Sequence, residues 1–274
     1  AEPSIETIDL TPTELRDLGR SPEFLSLAPV MPTRLIGSEP QDDLRAEETV
    51  PGWGLRAVGA DRTRFSGQGV RIALLDTGVD TSQKAFAGVN VTELDFAGSG
   101  VDDANGHGTH LAGTILGRDL GGTRIGIARG VDRLFAAKSV ADDGRGTSDS
   151  FLRAFLWSLR ERADIVAFAL RFDVEAHVEQ LAAAGYPHSL AMAQAVHAYR
   201  GNLRIFETVL RMVSQQQQAP LVLAAVGNDS LRTISPDFET GPATPSAARG
   251  VLAVGALRQG ERALDVAAFS NASP

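Results

Sequence analysis

The chain has 274 residues, 43% of them hydrophobic and 22% charged, and no cysteine. That size lets one large domain or two small ones bury a core without staples, and the lack of thiols excludes a disulfide scaffold, a cysteine nucleophile and cysteine-based zinc or iron–sulfur sites. A formal net charge of −8, with Lys84 and Lys138 as the only lysines and no basic tract, argues against nucleic acid as a partner, and no apolar run reaches the roughly 18 residues of a membrane span.

The chain begins at Ala1 rather than Met, which reads as a trimmed chain. Residues 1–50 are rich in Pro, Glu, Asp, Ser and Thr, with apolar positions thinly spread. They read as an N-terminal extension: a partly ordered tail, or the remnant of a pro-segment strapped across the domain. Thr11, Pro12 and Glu14 predict one short helix capped by Thr11. From residue 51 the pattern changes. The run 70–75 is apolar and β-branched and ends at Asp76-Thr77-Gly78, which predicts a buried strand. A helix of small and apolar residues follows at 108–116, then a strand at 133–140. An amphipathic helix is predicted over 148–162, with Phe151, Leu152, Phe155, Leu156 and Leu159 on one face. The third strand is 165–170. Residues 174–218 read as a helical insertion, with helices at 175–184, 190–199 and 203–213 and a solvated glutamine run at its end. Strands at 220–226 and 251–256 complete the pattern. Strands alternate with helices and are apolar throughout, so the fold class is α/β with a mainly parallel sheet covered on both faces.

The chemistry-bearing residues sit at the ends of these elements. Asp76 closes a strand, at the edge where open α/β sheets gather catalytic groups. Asp-Thr-Gly also marks aspartic proteases, but those are mostly β and need a second copy, which this chain lacks. His107 lies between Gly106 and Gly108 at a helix start. His110, one turn on, reads as a packed or hydrogen-bonded partner. Two histidines at that spacing suit a metal only with a third ligand, and none follows at helical spacing.

Asp76-Thr77-Gly78, Asn105-Gly106-His107-Gly108-Thr109 and Leu223-Ala224-Ala225-Val226-Gly227-Asn228 together resemble the subtilisin-like serine proteases, the subtilases. The resemblance runs from about Trp53 to the end of the chain. Asp76 and His107 are 31 residues apart, close to the family spacing of about 32. The resemblance implies a three-layer fold and peptide-bond hydrolysis by an Asp-His-Ser triad. Asp76 would orient the imidazole, His107 would be the general base, and Asn228 would donate to the oxyanion. It also implies two substrate-lining stretches, Gly144, Arg145 and Gly146 on one side and Ala169, Leu170 and Arg171 on the other. The family usually has Ser-Leu-Gly-Gly in the second, so Arg171 and Phe172 add bulk and a charge. Three consequences stay open: a narrower pocket, a preference for an acidic side chain, or a domain that no longer cleaves.

The family's Gly-Thr-Ser-Met-Ala nucleophile turn is absent. By the family spacing, corrected for the insertion, the serine falls near residue ~295. The C-terminal part of the fold is therefore expected to be missing. Ser270 and Ser273 belong to the preceding turn. Gly146-Thr147-Ser148 repeats three letters of the motif, but Asp149-Ser150 follows, and Ser148 reads as a helix cap. The stretch equivalent to the family's calcium loop, 118–123, offers only Asp119 as a carboxylate, too few oxygens for a calcium ion. No metal site and no cofactor are expected. The expected partners are a protein or peptide substrate and a C-terminal fragment of the same precursor, in a secreted or extracytoplasmic setting. Two other readings compete: a non-catalytic subtilase-like binding or scaffolding domain, and an unrelated α/β module in which Asp76 and His107 lie apart.

Overall fold

Apolar runs bounded by turn residues become a parallel sheet in this computed structural model, which describes residues 4–18, 20, 26–37, 52–260 and 263–272. In the N-terminal segment, α1 (Pro12–Leu18) starts behind a capping box. The Thr11 hydroxyl accepts from the Glu14 N–H, and the Glu14 carboxylate accepts from the Thr11 N–H. β1 (Pro32–Leu35) and α2 (Trp53–Ala57) follow. Then come β2 (Arg71–Asp76), β3 (Asn90–Asp95), α3 (His107–Leu116), β4 (Arg133–Lys138), β5 (Arg145–Thr147) and α4 (Ser148–Arg160). β6 (Ile165–Phe168), β7 (Leu170–Phe172), α5 (Val174–Ala183) and α6 (His188–Ser214) come next. β8 (Leu221–Ala225), β9 (Val251–Val254), β10 (Leu257–Gln259) and β11 (Leu264–Val266) end the order.

Six strands form the central sheet in the order β3-β4-β2-β6-β8-β9, each pair parallel. Successive side chains of a strand face opposite ways, and both faces are covered. Ala73, Leu75, Phe135 and Ala137 join a core with Phe151 and Phe155 of α4 and Phe206 and Val209 of α6. Ile72, Leu74, Leu134 and Ala136 face the other way, onto Ala112 and Leu116 of α3. Two-sided burial is why these strands read as continuous apolar runs. The ring of Phe151 sits 5.0 Å from Phe168 and 5.2 Å from Phe206, so helix and sheet interlock through aromatic contacts. β2 lies inside the sheet, which delivers Asp76 to the middle of its carboxyl edge.

Several elements differ from the sequence reading. The predicted strand 165–170 breaks at Ala169. β6 stays in the central sheet, while β7 joins a three-stranded antiparallel sheet in the order β5-β1-β7. β3 is a partly exposed edge strand with Asn90, Thr92, Glu93 and Asp95 polar, and the apolar-run criterion passes over it. The helices expected at 190–199 and 203–213 are one helix, α6. A single interior glycine costs only about 1 kcal/mol, and Gly201 is used for a close approach. A Cβ there would stand 2.8 Å from the Cβ of Ala28. The 174–218 region divides in two. Phe206, Val209, Leu210 and Val213 belong to the main core, whereas α5 and the first half of α6 pack on one another around Val178, Ala191 and Ala195.

Candidate active site

Asp76 is 1% exposed at the end of β2. Its Oδ1 accepts from the Thr77 N–H at 2.8 Å and faces His107 Nδ1 at 2.8 Å. His107 is the first residue of α3, so its backbone is fixed by the helix start. That helix start can come this close because residue 108 has no side chain. A Cβ on Gly108 would lie 2.1 Å from the Gly78 carbonyl oxygen. Thr77 Oγ1 accepts from the Gly108 N–H and donates to Asp103.

Asp103 is a second carboxylate that the motif reading missed. Its oxygens accept from the N–H groups of Gly106 and Thr109 and from the Thr109 hydroxyl. It therefore caps the helix that carries His107. Burial works against its charge, but the bonds from Thr109, Gly106 and Thr77 outweigh it and hold its pKa below the usual carboxylate value.

His107 is 23% exposed. Burial opposes its charge, but the bond and charge of Asp76, the charge of Asp103 and the Ile36 carbonyl together raise its pKa above the ordinary value. Nδ1 is taken by Asp76, which leaves Nε2 as the ring nitrogen free for a substrate-side group.

The Ile36 carbonyl belongs to a peptide lying in the cleft, the chain's own residues 32–36. β1 runs antiparallel between β5 and β7, with Thr33 opposite Gly146 and Phe172, and Arg34 opposite Arg145 and Arg171. The Leu35 N–H donates to the Gly144 carbonyl at 3.0 Å and the Ile36 N–H to the Ala169 carbonyl at 2.9 Å. Gly144, Arg145 and Gly146 thus line one side of an extended peptide, and Ala169, Leu170 and Arg171 the other. Asn228 is three residues past the end of β8. Its Nδ2 would stand 3.4 Å from a Cβ placed on Gly37, the residue after the carbonyl that His107 holds.

A family model described as the subtilase family, Peptidase_S8, matches residues 67–274. The chain belongs to the subtilase family. Over 127 residues it is 36% identical to "Subtilisin-like protease 6" of Arthroderma benhamiae, a match covering 43% of this chain and 29% of that protein. It is 35% identical over 127 residues to the protein of the same name from Trichophyton rubrum, with the same coverage. The chain thus matches under a third of the length of these relatives. Among solved structures, fervidolysin from Fervidobacterium pennivorans, a keratinolytic enzyme related to subtilisin, shares the fold. The TM-score is 0.54 at 21% identity, over 80% of this chain and 30% of that one.

The remaining candidates of this subtilase chain have structural places. The N-cap of α4 is Thr147, one residue before Ser148; Thr147 and Ser150 form a capping box. Ser148 Oγ is buried and accepts from the Met31 N–H. Met31 is five extended residues from Ile36, about 16 Å at the usual rise, so Ser148 lies away from His107. Ser270 is buried, accepts from the Ala256 N–H and donates to its neighbour's carbonyl. Ser273 lies outside the described residues. His110 is exposed rather than packed, because it falls on the outer side of α3. The Asp119 carboxylate is bonded to Arg129. Among the described residues no group of three His, Asp or Glu is placed to hold a metal ion, and no helix is long and apolar enough to cross a membrane.

Proposed function

We propose that this chain carries most of the active site of a serine endopeptidase. Asp76 fixes the imidazole tautomer, His107 is the general base, and Asn228 donates its amide to the oxyanion. The nucleophilic serine lies in a segment of the longer protein C-terminal to residue 274. One observation carries the reading. An extended peptide lies between β5 and β7, bonded through the Leu35 and Ile36 N–H groups to the Gly144 and Ala169 carbonyls, with Gly37 beside Asn228. The bond presented is Ile36–Gly37. The serine oxygen adds to the Ile36 carbonyl carbon as its proton passes to neutral His107. The C–N bond then breaks as His107 returns that proton to the Gly37 nitrogen. Water hydrolyses the acyl ester in the second half.

Two features support a serine delivered from outside these residues. Among the described residues, no hydroxyl is hydrogen-bonded to the His107 ring. Next to Asn228, β9 and the β10–β11 hairpin leave Leu252, Val254, Leu257 and Val266 half exposed, a surface suited to cover by a further segment. Residues 26–37 then act as a strap of the pro-segment kind, and protein or peptide chains are the substrates. A secreted or extracytoplasmic setting goes with that activity.

A fluorophosphonate probe on the longer protein tests the proposal. The expected result is one labelled serine past residue 274, with labelling lost in His107→Ala. An unlabelled protein with an intact fold overturns it. The second reading, a subtilase-like domain that binds without cleaving, rests on the ion pair that Arg171 makes with Asp229 across the cleft.

A further inference from the structure

Ile36 is 7% exposed, although strand alternation carried one residue past β1 turns its side chain to the face opposite Leu35. Strand alternation establishes the direction. Thr33 and Leu35 are buried, and Leu35 shares the core with Leu170 and Phe172 of β7. Positions 34 and 36 therefore face the other way. Residues paired across an antiparallel ladder share a face, and Arg34 is paired with Arg171. Ile36 and Arg171 are thus on one face, two places apart along the ladder.

Arg171 does not extend into solvent. Its guanidinium reaches Asp229 Oδ1 at 3.2 Å, so the ion pair runs from the strand beside Arg34 to the loop beside Gly37. Asp229 is held in turn. Its other oxygen accepts from Asn271 Nδ2 at 2.9 Å, and Asn271 Oδ1 accepts from the Asp229 N–H at 2.7 Å and the Ser230 N–H at 3.1 Å. The bridge is pinned at its Asp229 end and lies on the face of the ladder that position 36 shares.

We propose that the Arg171–Asp229 bridge sets the side chain accepted just before the scissile bond, admitting branched aliphatic residues such as Ile and excluding aromatic ones. The charge of Arg171 is already matched by Asp229, so an acidic side chain gains nothing there. This inference rests on residues 33–37 standing in for a substrate. Its test needs no nucleophile, so a domain that binds without cleaving would pass it while failing the fluorophosphonate assay.

The strap itself is the probe. Hydrogen exchange of the Arg34, Leu35 and Ile36 amides reports its occupancy, with β2 amides as the internal measure of an intact fold. Overpacking a closed site lowers occupancy by roughly 5- to 150-fold. Ile36→Phe should lose protection by that much and Ile36→Val should keep it. Arg171→Gly combined with Ile36→Phe should recover it, and Arg171→Ala serves the same purpose if glycine loosens β7. Protection in Ile36→Phe equal to that of the unaltered chain overturns the proposal. So does a loss that neither change at Arg171 reverses.

Discussion

Raising the pH should loosen the strap from the cleft, because its Ile36 carbonyl favours the protonated form of His107. The ordinary histidine value is 6.5, and His107 is raised above it. Asp76 and Asp103 contribute to that rise with the strap in or out, so only the Ile36 bond couples protonation to docking. Below the ordinary value the imidazolium is present in both states, and the bond contributes fully. As the pH climbs through the raised value the Nε2–H is lost, and the carbonyl then faces a lone pair. A hydrogen bond to a charged group contributes about 1.5–3 kcal/mol. Burial under the strap opposes the charge, so the net fall in occupancy is smaller than that bond alone would give. Hydrogen exchange of Arg34, Leu35 and Ile36 from about pH 6 to about pH 9, corrected for the intrinsic base-catalysed rate, measures it. His107→Gln keeps a side-chain amide but cannot titrate, and its profile should be flat. An unaltered chain whose corrected profile is also flat, or whose protection rises with pH, would refute the reasoning.

Further outcomes are expected. In the longer protein, mass spectrometry should find cleavage between Ile36 and Gly37, and Asn228→Ala should slow turnover about 100- to 1,000-fold, a range set by subtilisin itself. Gly108→Ala forces a Cβ to within 2.1 Å of the Gly78 oxygen. The stability loss in denaturant should be about 1–3 kcal/mol, and the His107 ring resonance should shift as α3 moves from Asp76. Phe206→Ala empties the centre of the aromatic core and should cost about 3–5 kcal/mol. Met192→Ser on the exposed first half of α6 should change stability by under about 0.5 kcal/mol.

What the sequence makes legible is what a short stretch can encode. The apolar runs at 70–75 and 133–140 encode two-sided burial, and each became a strand of the central sheet within two residues. Asp76 and His107 could be located because one ends a strand and the other opens a helix between glycines. What stays hidden depends on partners far away in the chain. β1 contains a proline and has no strand pattern of its own. It is a strand only because β5 and β7 offer it backbone groups on both sides. Arg171 could be read as bulk and charge at a pocket wall, but its effect turns on Asp229, 58 positions on. The continuity of α6 was hidden by Gly201, a break by local rules that serves the packing of Ala28 instead.

The distribution of these contacts bears on how the cleft is occupied. β5 and β7 are paired within their sheet only through β1, so an empty cleft exposes two strand edges that call for an extended peptide. The strap is secured beyond those edges. Asn202 donates to the Pro29 carbonyl, Gly201 makes room for Ala28, the Pro32 carbonyl accepts from the Asp173 N–H, and the Asp173 carboxylate pairs with Arg34. These groups lie on α6 and at the start of α5, so the helical pair that packs apart from the core is also what grips the strap. A tethered segment competes at an effective concentration of order millimolar. A peptide in trans must therefore either exceed that or meet a chain whose strap has been cut at Ile36–Gly37. Cutting removes the tether on only one side, and Asn202 and Asp173 would still hold the product. Release then requires these contacts to break as well, so the helical pair governs opening of the cleft after the cut.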